Sequence, residues 1–270
     1  MTQKKESACK KPVRGTREWA VAEINCCLGC PHGCRYCYAR FDAVLRKGRV
    51  TPEQWPVSRQ VPEEVAQKHR RFSGQVMFPT AHDIVPENLD ACTQVLKNLV
   101  AAGNRVLVVS KPHFDCIRHI CSEFQDAKKS LLFRFTITAR DRKLLDLWEP
   151  QAPGYAERKT CLEYAFAEGF ATSVSVEPML DTADVVVMVH ELLPYVSHSI
   201  WLGKMNRIAE RVEADSDTMR MAIEKIVAGQ SDRHILRIYE ELRDIAKVRW
   251  KESVKEVVGL DLPAEPGLDQ

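Results

Sequence analysis

The residues best suited to chemistry are three cysteines in one short loop, Cys30-Pro31-His32-Gly33-Cys34-Arg35-Tyr36-Cys37. Thiolates are preferred ligands of iron–sulfur clusters and of zinc. At the spacing C-x3-C-x2-C, the three thiols lie too close together for three independent structural roles. One loop of this kind can wrap a corner of a cubane cluster, each cysteine taking one iron. The fourth iron then has no protein thiolate, and an open coordination position signals chemistry, not structure. Gly33 allows the positive φ that so tight a wrap needs. Cys27 extends the series to Cys27-x2-Cys30-x3-Cys34-x2-Cys37, and four thiols could instead close a structural iron–sulfur or zinc site. Zinc knuckle pairs are usually separated by roughly 12–20 residues, and the three-residue gap here is much shorter. The open site is therefore the leading reading and the closed site the alternative.

Elements able to position this loop follow from hydrophobic periodicity. Trp19–Asn25 reads as a strand leading into it, and 39–47 as a helix stopped by Gly48. A proline-rich connection follows, then a helix over 62–72 with Pro62 in its first turn. From there strands alternate with helices. Strands are expected at 75–78, 105–109, 131–138, 171–176 and 200–203. Helices are expected at 86–102, 113–125, from about 155 to Gly169, and at 181–193. The stretch 216–258 reads as helical throughout, broken at Gly229-Gln230-Ser231-Asp232. This pattern predicts an α/β protein, a partial (open) βα barrel of about six units with a C-terminal helical extension. The expected divisions are a basic tail at 1–18, the barrel at 19–206 and the extension at 207–270.

In such sheets, reactive groups gather at the carboxyl ends of the strands. That rule selects Thr80, His82 and Asp83 after the second strand, Ser110 and Lys111 after the third, and Thr136 and Thr138 on the fourth. It also selects Glu177 at the end of the fifth and the Gly203–Asn206 segment after the last.

The cysteine loop, down to the aromatic Tyr36 before its third thiol, resembles that of the radical S-adenosylmethionine (SAM) enzymes. The ordered set Ile24-Asn25, Cys37-Tyr38-Ala39-Arg40, Thr80 to Val85, Ser110-Lys111, Phe133 to Thr138 and Val176-Glu177-Pro178 looks like the spore photoproduct lyase-like branch of that superfamily. The resemblance covers roughly two-thirds of the chain. It implies a [4Fe–4S] cluster on Cys30, Cys34 and Cys37 whose open iron chelates SAM. One-electron reduction would then give a 5′-deoxyadenosyl radical that abstracts hydrogen from an organic substrate, in an enzyme of the lyase or oxidoreductase class.

By the same resemblance, Lys111, Thr136 and Thr138 are candidate SAM-binding residues; Tyr36 and Glu177 are added as cofactor-binding candidates, Glu177 for the SAM amino group or the substrate, and Tyr38 and Arg40 flank the cluster. Thr80 and His82 are the candidate catalytic residues, His82 as a proton donor or SAM contact. The implied partners are a flavodoxin- or ferredoxin-type electron donor and a substrate that is nucleic acid, a nucleotide or another organic molecule. One departure matters. Photoproduct lyases carry a hydrogen-donating cysteine after the second strand, and this chain has Thr80 there. A threonine O–H bond is too strong to replace a thiol as hydrogen-atom donor, so the scaffold carries over without that reaction.

Charge adds little. Lys plus Arg is 39 and Asp plus Glu is 37, a net charge of +2, which neither demands nor excludes a nucleic-acid partner. Two basic groups, Arg59/Lys68/Arg70/Arg71 and Lys128/Lys129/Arg134/Arg140/Arg142/Lys143, are either phosphate-tracking faces or plain solvated surface. No stretch approaches the roughly 18 apolar residues of a membrane span. Ten cysteines without an apolar leader argue for a reduced, cytoplasmic protein. Cys92, Cys116, Cys121 and Cys161 fall on apolar helix faces and read as small hydrophobes. Cys9 and Cys26 have no assigned role.

Overall fold

The computed structural model describes residues 12–267. Most of the expected basic tail, and Cys9 with it, lies outside the described residues.

Seven parallel strands form one sheet: β1 (Ala22–Glu23), β2 (Val76–Phe78), β3 (Val106–Ser110), β4 (Leu131–Thr136), β5 (Ala171–Val176), β6 (Ile200–Leu202) and β7 (Val248–Trp250). Their spatial order is their chain order, so each strand is laid beside the one before it and the sheet curves into an open half-barrel. The central strands are buried on both faces, which is why they read as unbroken apolar runs instead of alternating ones. Pairing is in register across the middle, Val106 with Leu131 and Leu132 with Ala171.

Helices cover the outside. α1 (Leu89–Ala101) buries Cys92, Val95, Leu96 and Leu99 at helical spacing, and α2 (Phe114–Glu123) buries Cys116, Ile117, Ile120 and Cys121. These faces pack with the sheet into one main core. α3 (Arg142–Trp148), α4 (Tyr155–Ala167) and α5 (Val185–Leu192) continue the ring, and α6 (Asp217–Gly229), α7 (Asp232–Leu242) and α8 (Glu252–Val258) follow β6.

The half-barrel is as expected, but several boundaries move. The first strand is two residues long, not seven. The helix expected over 62–72 stops at Ala66, because side-chain amides take over its backbone groups. Asn98 Nδ2 donates to the carbonyls of Val65 and Gln67, and Asn104 donates to the Arg70 carbonyl and accepts from Phe72 N–H. The helix after the loop is one α-turn, Tyr38–Arg40, followed by a π-helical turn over Phe41–Arg46. The fourth strand ends at Thr136, two residues early. The largest change lies in the stretch read as wholly helical. Val248–Trp250 leaves that pattern and pairs with β6 as a seventh strand. Among the described residues, no helix is long and apolar enough to cross a membrane.

Candidate active site

A cavity of about 340 Å³ opens at the carboxyl end of the sheet. The cysteine loop forms one wall, held in place by backbone. Cys27–Leu28 pairs antiparallel with Arg59–Gln60, and Cys30 N–H donates to the Trp55 carbonyl at 2.9 Å. Gly29 makes this turn with φ +103°. A Cβ there would lie 2.7 Å from the Trp55 carbonyl oxygen and closer still to that of Val57, so no other residue fits. Gly33 follows with φ +64°. Cys30, Cys34 and Cys37 all line the cavity, and none is in a disulfide. Burial pushes all three thiols up, Cys30 to about 12, so they are neutral until a cation draws off their protons.

Behind the loop, Asp83 is a hub. It accepts from Lys111 N–H at 2.8 Å, from Ser110 Oγ at 3.1 Å and from His32 Nδ1 at 2.8 Å, and Lys111 Nζ lies 3.8 Å away. Burial would raise this carboxyl, but Lys111 and His32 hold it well below the usual range. His32 Nε2 sits 2.9 Å from His113 Nε2. The Lys111 ammonium lies 5.7 Å from the centre of the Tyr36 ring. Burial opposes its charge, yet the acidic groups around it, Cys34, Tyr36, Asp83 and Glu149, hold its pKa well above the ordinary value.

Asp83 is among the strand-end residues that the sequence selects; the roles of His32 and Glu149 are not visible there. Glu149 is 1% exposed, pairs with the wholly buried Arg158, and accepts from Tyr36 Oη and from Thr138 Oγ1. Burial would raise its pKa, but Arg158 and Lys111 hold it below the ordinary value.

The candidates from the sequence divide. Tyr36, Lys111, Thr136, Glu177, Thr80 and His82 line the cavity, as does Tyr38, whose hydroxyl donates to the Thr80 carbonyl. Thr138 does not line it; its hydroxyl is committed to Glu149. Thr80 Oγ1 accepts from Asn25 Nδ2 at 2.7 Å, and Asn25 Oδ1 accepts the Thr80 and Ala81 N–H groups. His82 has both ring nitrogens engaged with backbone. Nδ1 donates to the Asp83 carbonyl, and Nε2 faces the N–H groups of Cys26 and Cys27 at 3.2 and 3.3 Å. Burial keeps the ring neutral by lowering its pKa, and this geometry makes it a brace.

Glu177 faces Lys251 at 3.8 Å, and burial raises its carboxyl. Cys27 does not line the cavity; its sulfur lies beside Cys26. The closed four-cysteine alternative therefore lacks its fourth ligand in this geometry. Two members of the second basic group are committed elsewhere, while Lys129, Arg142 and Lys143 are exposed. Arg134 is buried, its guanidinium 4.5 and 5.5 Å from the Trp19 and Trp201 rings, and Arg140 is paired with Asp184 and Glu191.

The donor set fits an iron–sulfur cluster: three uncombined thiols on one loop facing one cavity. The surroundings fit an anionic ligand beside it. Arg211, on the short helix Ile208–Arg211, lines the same cavity with its Nε buried and without a hydrogen-bond partner.

An open half-barrel with this loop at the carboxyl end of its strands is a fold that the chain shares with solved radical SAM enzymes, spore photoproduct lyase among them. Among solved structures, the chain is similar to a spore photoproduct lyase variant with bound dinucleoside spore photoproduct. The TM-score is 0.55 at 13% identity, covering 84% of this chain and 75% of that one. It is also similar to Streptococcus suis SuiB bound to S-adenosylmethionine, with a TM-score of 0.53 at 8% identity, covering 92% of this chain and 54% of that one. Two curated relatives are both uncharacterized. One, from Acidianus two-tailed virus, is 24% identical over 173 residues, 60% of this chain and 56% of the viral protein. The other, from Methanocaldococcus jannaschii, is 22% identical over 193 residues, 70% of this chain and 72% of that protein. The chain thus spans little more than half of the viral relative. No family model matches the chain.

Proposed function

We propose that this protein is a radical SAM enzyme in which Cys30, Cys34 and Cys37 hold a [4Fe–4S] cluster and the cavity receives SAM and an organic substrate. The observation that carries this reading is convergence. The three thiols share one cavity with Lys111, Thr136, Ser175, Glu177 and Lys204, which lie at or just past the ends of β3 to β6. When bound and reduced, the cluster supplies the electron that splits SAM into methionine and a 5′-deoxyadenosyl radical.

The chain's own residues bind and shield. Lys111, held charged by its acidic neighbours, pairs with a carboxylate. The Thr136 and Ser175 hydroxyls suit a ribose, and Glu177 suits an ammonium. The unpartnered Arg211 Nε receives a carboxylate or phosphate of a bound molecule. The electron comes from a flavodoxin- or ferredoxin-type donor.

The substrate class follows the neighbours' chemistry only loosely, since one solved neighbour holds a dinucleoside photoproduct and SuiB has been captured with its precursor peptide SuiA. Among the described residues, no cysteine other than the cluster three lines the cavity. Hydrogen return from a protein thiol is therefore not part of this proposal.

The test is anaerobic cluster reconstitution, reduction, and low-temperature EPR with and without SAM, followed by a 5′-deoxyadenosine assay. A SAM-perturbed spectrum and deoxyadenosine formation that Cys34→Ala abolishes are expected. An unperturbed spectrum with no deoxyadenosine overturns the reading.

A further inference from the structure

A second group of metal-binding side chains lies behind the cluster loop. Cys26 Sγ is 3.9 Å from Cys27 Sγ, 3.8 Å from Cys92 Sγ and 3.9 Å from His82 Nε2. Cys26 and Cys92 are 0% exposed, and Cys27 and His82 only 6%. None of the three cysteines lines the active-site cavity, and all three are free thiols.

Cys26 Sγ, Cys27 Sγ and His82 Nε2 lie within 4.8 Å of one another, and Cys92 Sγ, 3.8 Å from Cys26 Sγ, has to swing inward to complete a tetrahedron. Four ligands around zinc, with Zn–S near ~2.3 Å, put sulfurs about 3.8 Å apart. The imidazole is already set for the task. Its Nδ1–H donates to the Asp83 carbonyl at 3.1 Å, which fixes the tautomer and leaves Nε2 unprotonated, 3.9 Å from Cys26 Sγ, as backbone carbonyls do for metal-bound histidine. The two amides now facing Nε2 do so at 3.2 and 3.3 Å, long contacts that an ion would displace toward the thiolates.

We propose that Cys26, Cys27, Cys92 and His82 form a closed structural site for one zinc ion, separate from the cluster. Three S–H protons leave on binding, and the divalent ion, three thiolates and neutral imidazole sum to one negative charge. With four protein ligands and no open position, the ion does no chemistry. It staples the entrance of the cluster loop to α1, through Cys92, and to the loop after β2, through His82.

The experiment is metal analysis of the full chain, purified anaerobically, reconstituted to a full iron complement and washed with EDTA. One zinc per chain is expected. Cys92→Ser should lose it and keep iron and sulfide, whereas Cys34→Ser should lose iron and keep zinc. Zinc absent from the wild type, or zinc that follows Cys34 instead of Cys92, overturns the site. Zinc-edge X-ray absorption on the wild type decides the matter if Cys92→Ser does not fold. Three sulfurs and one imidazole nitrogen support the site, and any other shell overturns it. Neither readout depends on SAM cleavage, so this inference and the enzymatic reading fail separately.

Discussion

Two groups of cysteines leave the same strand only three residues apart and reach opposite fates. Cys30, Cys34 and Cys37 face a cavity rimmed by cations and carboxylates. Cys26 and Cys27 line no part of it and are buried beside Cys92 and His82. The turn between them is Gly29, whose positive φ and crowded Cα redirect the chain. Side-chain type alone does not decide which thiols are reactive; the backbone sorts them by facing.

The sharpest challenge to this contrast is a pair of variants. Cys34→Ala should lose essentially all cluster iron and deoxyadenosine formation, while Cys27→Ala should retain both. Iron analysis reads the result, and equal loss of iron in both variants would merge the two groups into one site.

Next in size is the support behind the cavity. Glu149→Ala leaves the Arg158 guanidinium buried and unpaired, which costs ~3–5 kcal/mol in chemical denaturation. A loss under ~1 kcal/mol would mean that water reaches Arg158.

Gly29→Ala tests the divider itself. Forcing a Cβ onto that backbone should destabilise the protein by about 1–3 kcal/mol and lower iron occupancy before zinc. Unchanged iron retention would show that the turn does not hold the two groups apart.

Arg211→Met should leave iron content unchanged and raise the apparent KM for SAM or substrate about tenfold, equivalent to ~1.4 kcal/mol of lost binding. Steady-state kinetics measures this, and an unchanged KM removes Arg211 from ligand recognition.

The last test is a pH slope. Glu18 is buried beside Glu252, Lys251 and Lys255. Burial, with the Glu252 contact, pushes its carboxyl up to about 8, against the pull of Lys251. A folded pKa above the unfolded one means that the native state holds the extra proton. This contribution to stability is therefore complete below about 4.5 and lost as pH rises toward 8. Glu18→Gln should flatten melting temperature across that window, and an unchanged slope would assign it to another group.

The sequence announced what is local or strongly periodic. The C-x3-C-x2-C loop is legible because its chemistry is compressed into eight residues. β3, β4 and β5 are legible because both faces are buried and the runs are apolar. Val248–Trp250 was not legible: three residues are too few to establish a period of two inside an amphipathic helical stretch.

Glu149 failed for a different reason. It sits in a charged, proline-flanked segment, and its partners Tyr36, Thr138 and Arg158 come together only in the fold. His82 was visible as a strand-end polar residue, but nothing local showed that both its nitrogens would be taken up by backbone. The sequence order of Cys26, Cys27 and Cys30 likewise held no sign of which way each thiol would turn.

The seventh strand has a consequence for the order in which the protein is made. Lys251 and Glu252, just past β7, line the same cavity as the cysteine loop, although more than two hundred residues separate them. The end of the described chain also closes back on its start, through Val13 N–H to the Pro263 carbonyl and Gly267 N–H to the Arg17 carbonyl. In synthesis, the three thiols of the loop precede this wall of their cavity by more than two hundred residues. A chain cut near residue 206 would hold all three thiols yet leave β6 as an unpaired sheet edge. The cavity gains this wall only once β7 has paired with β6.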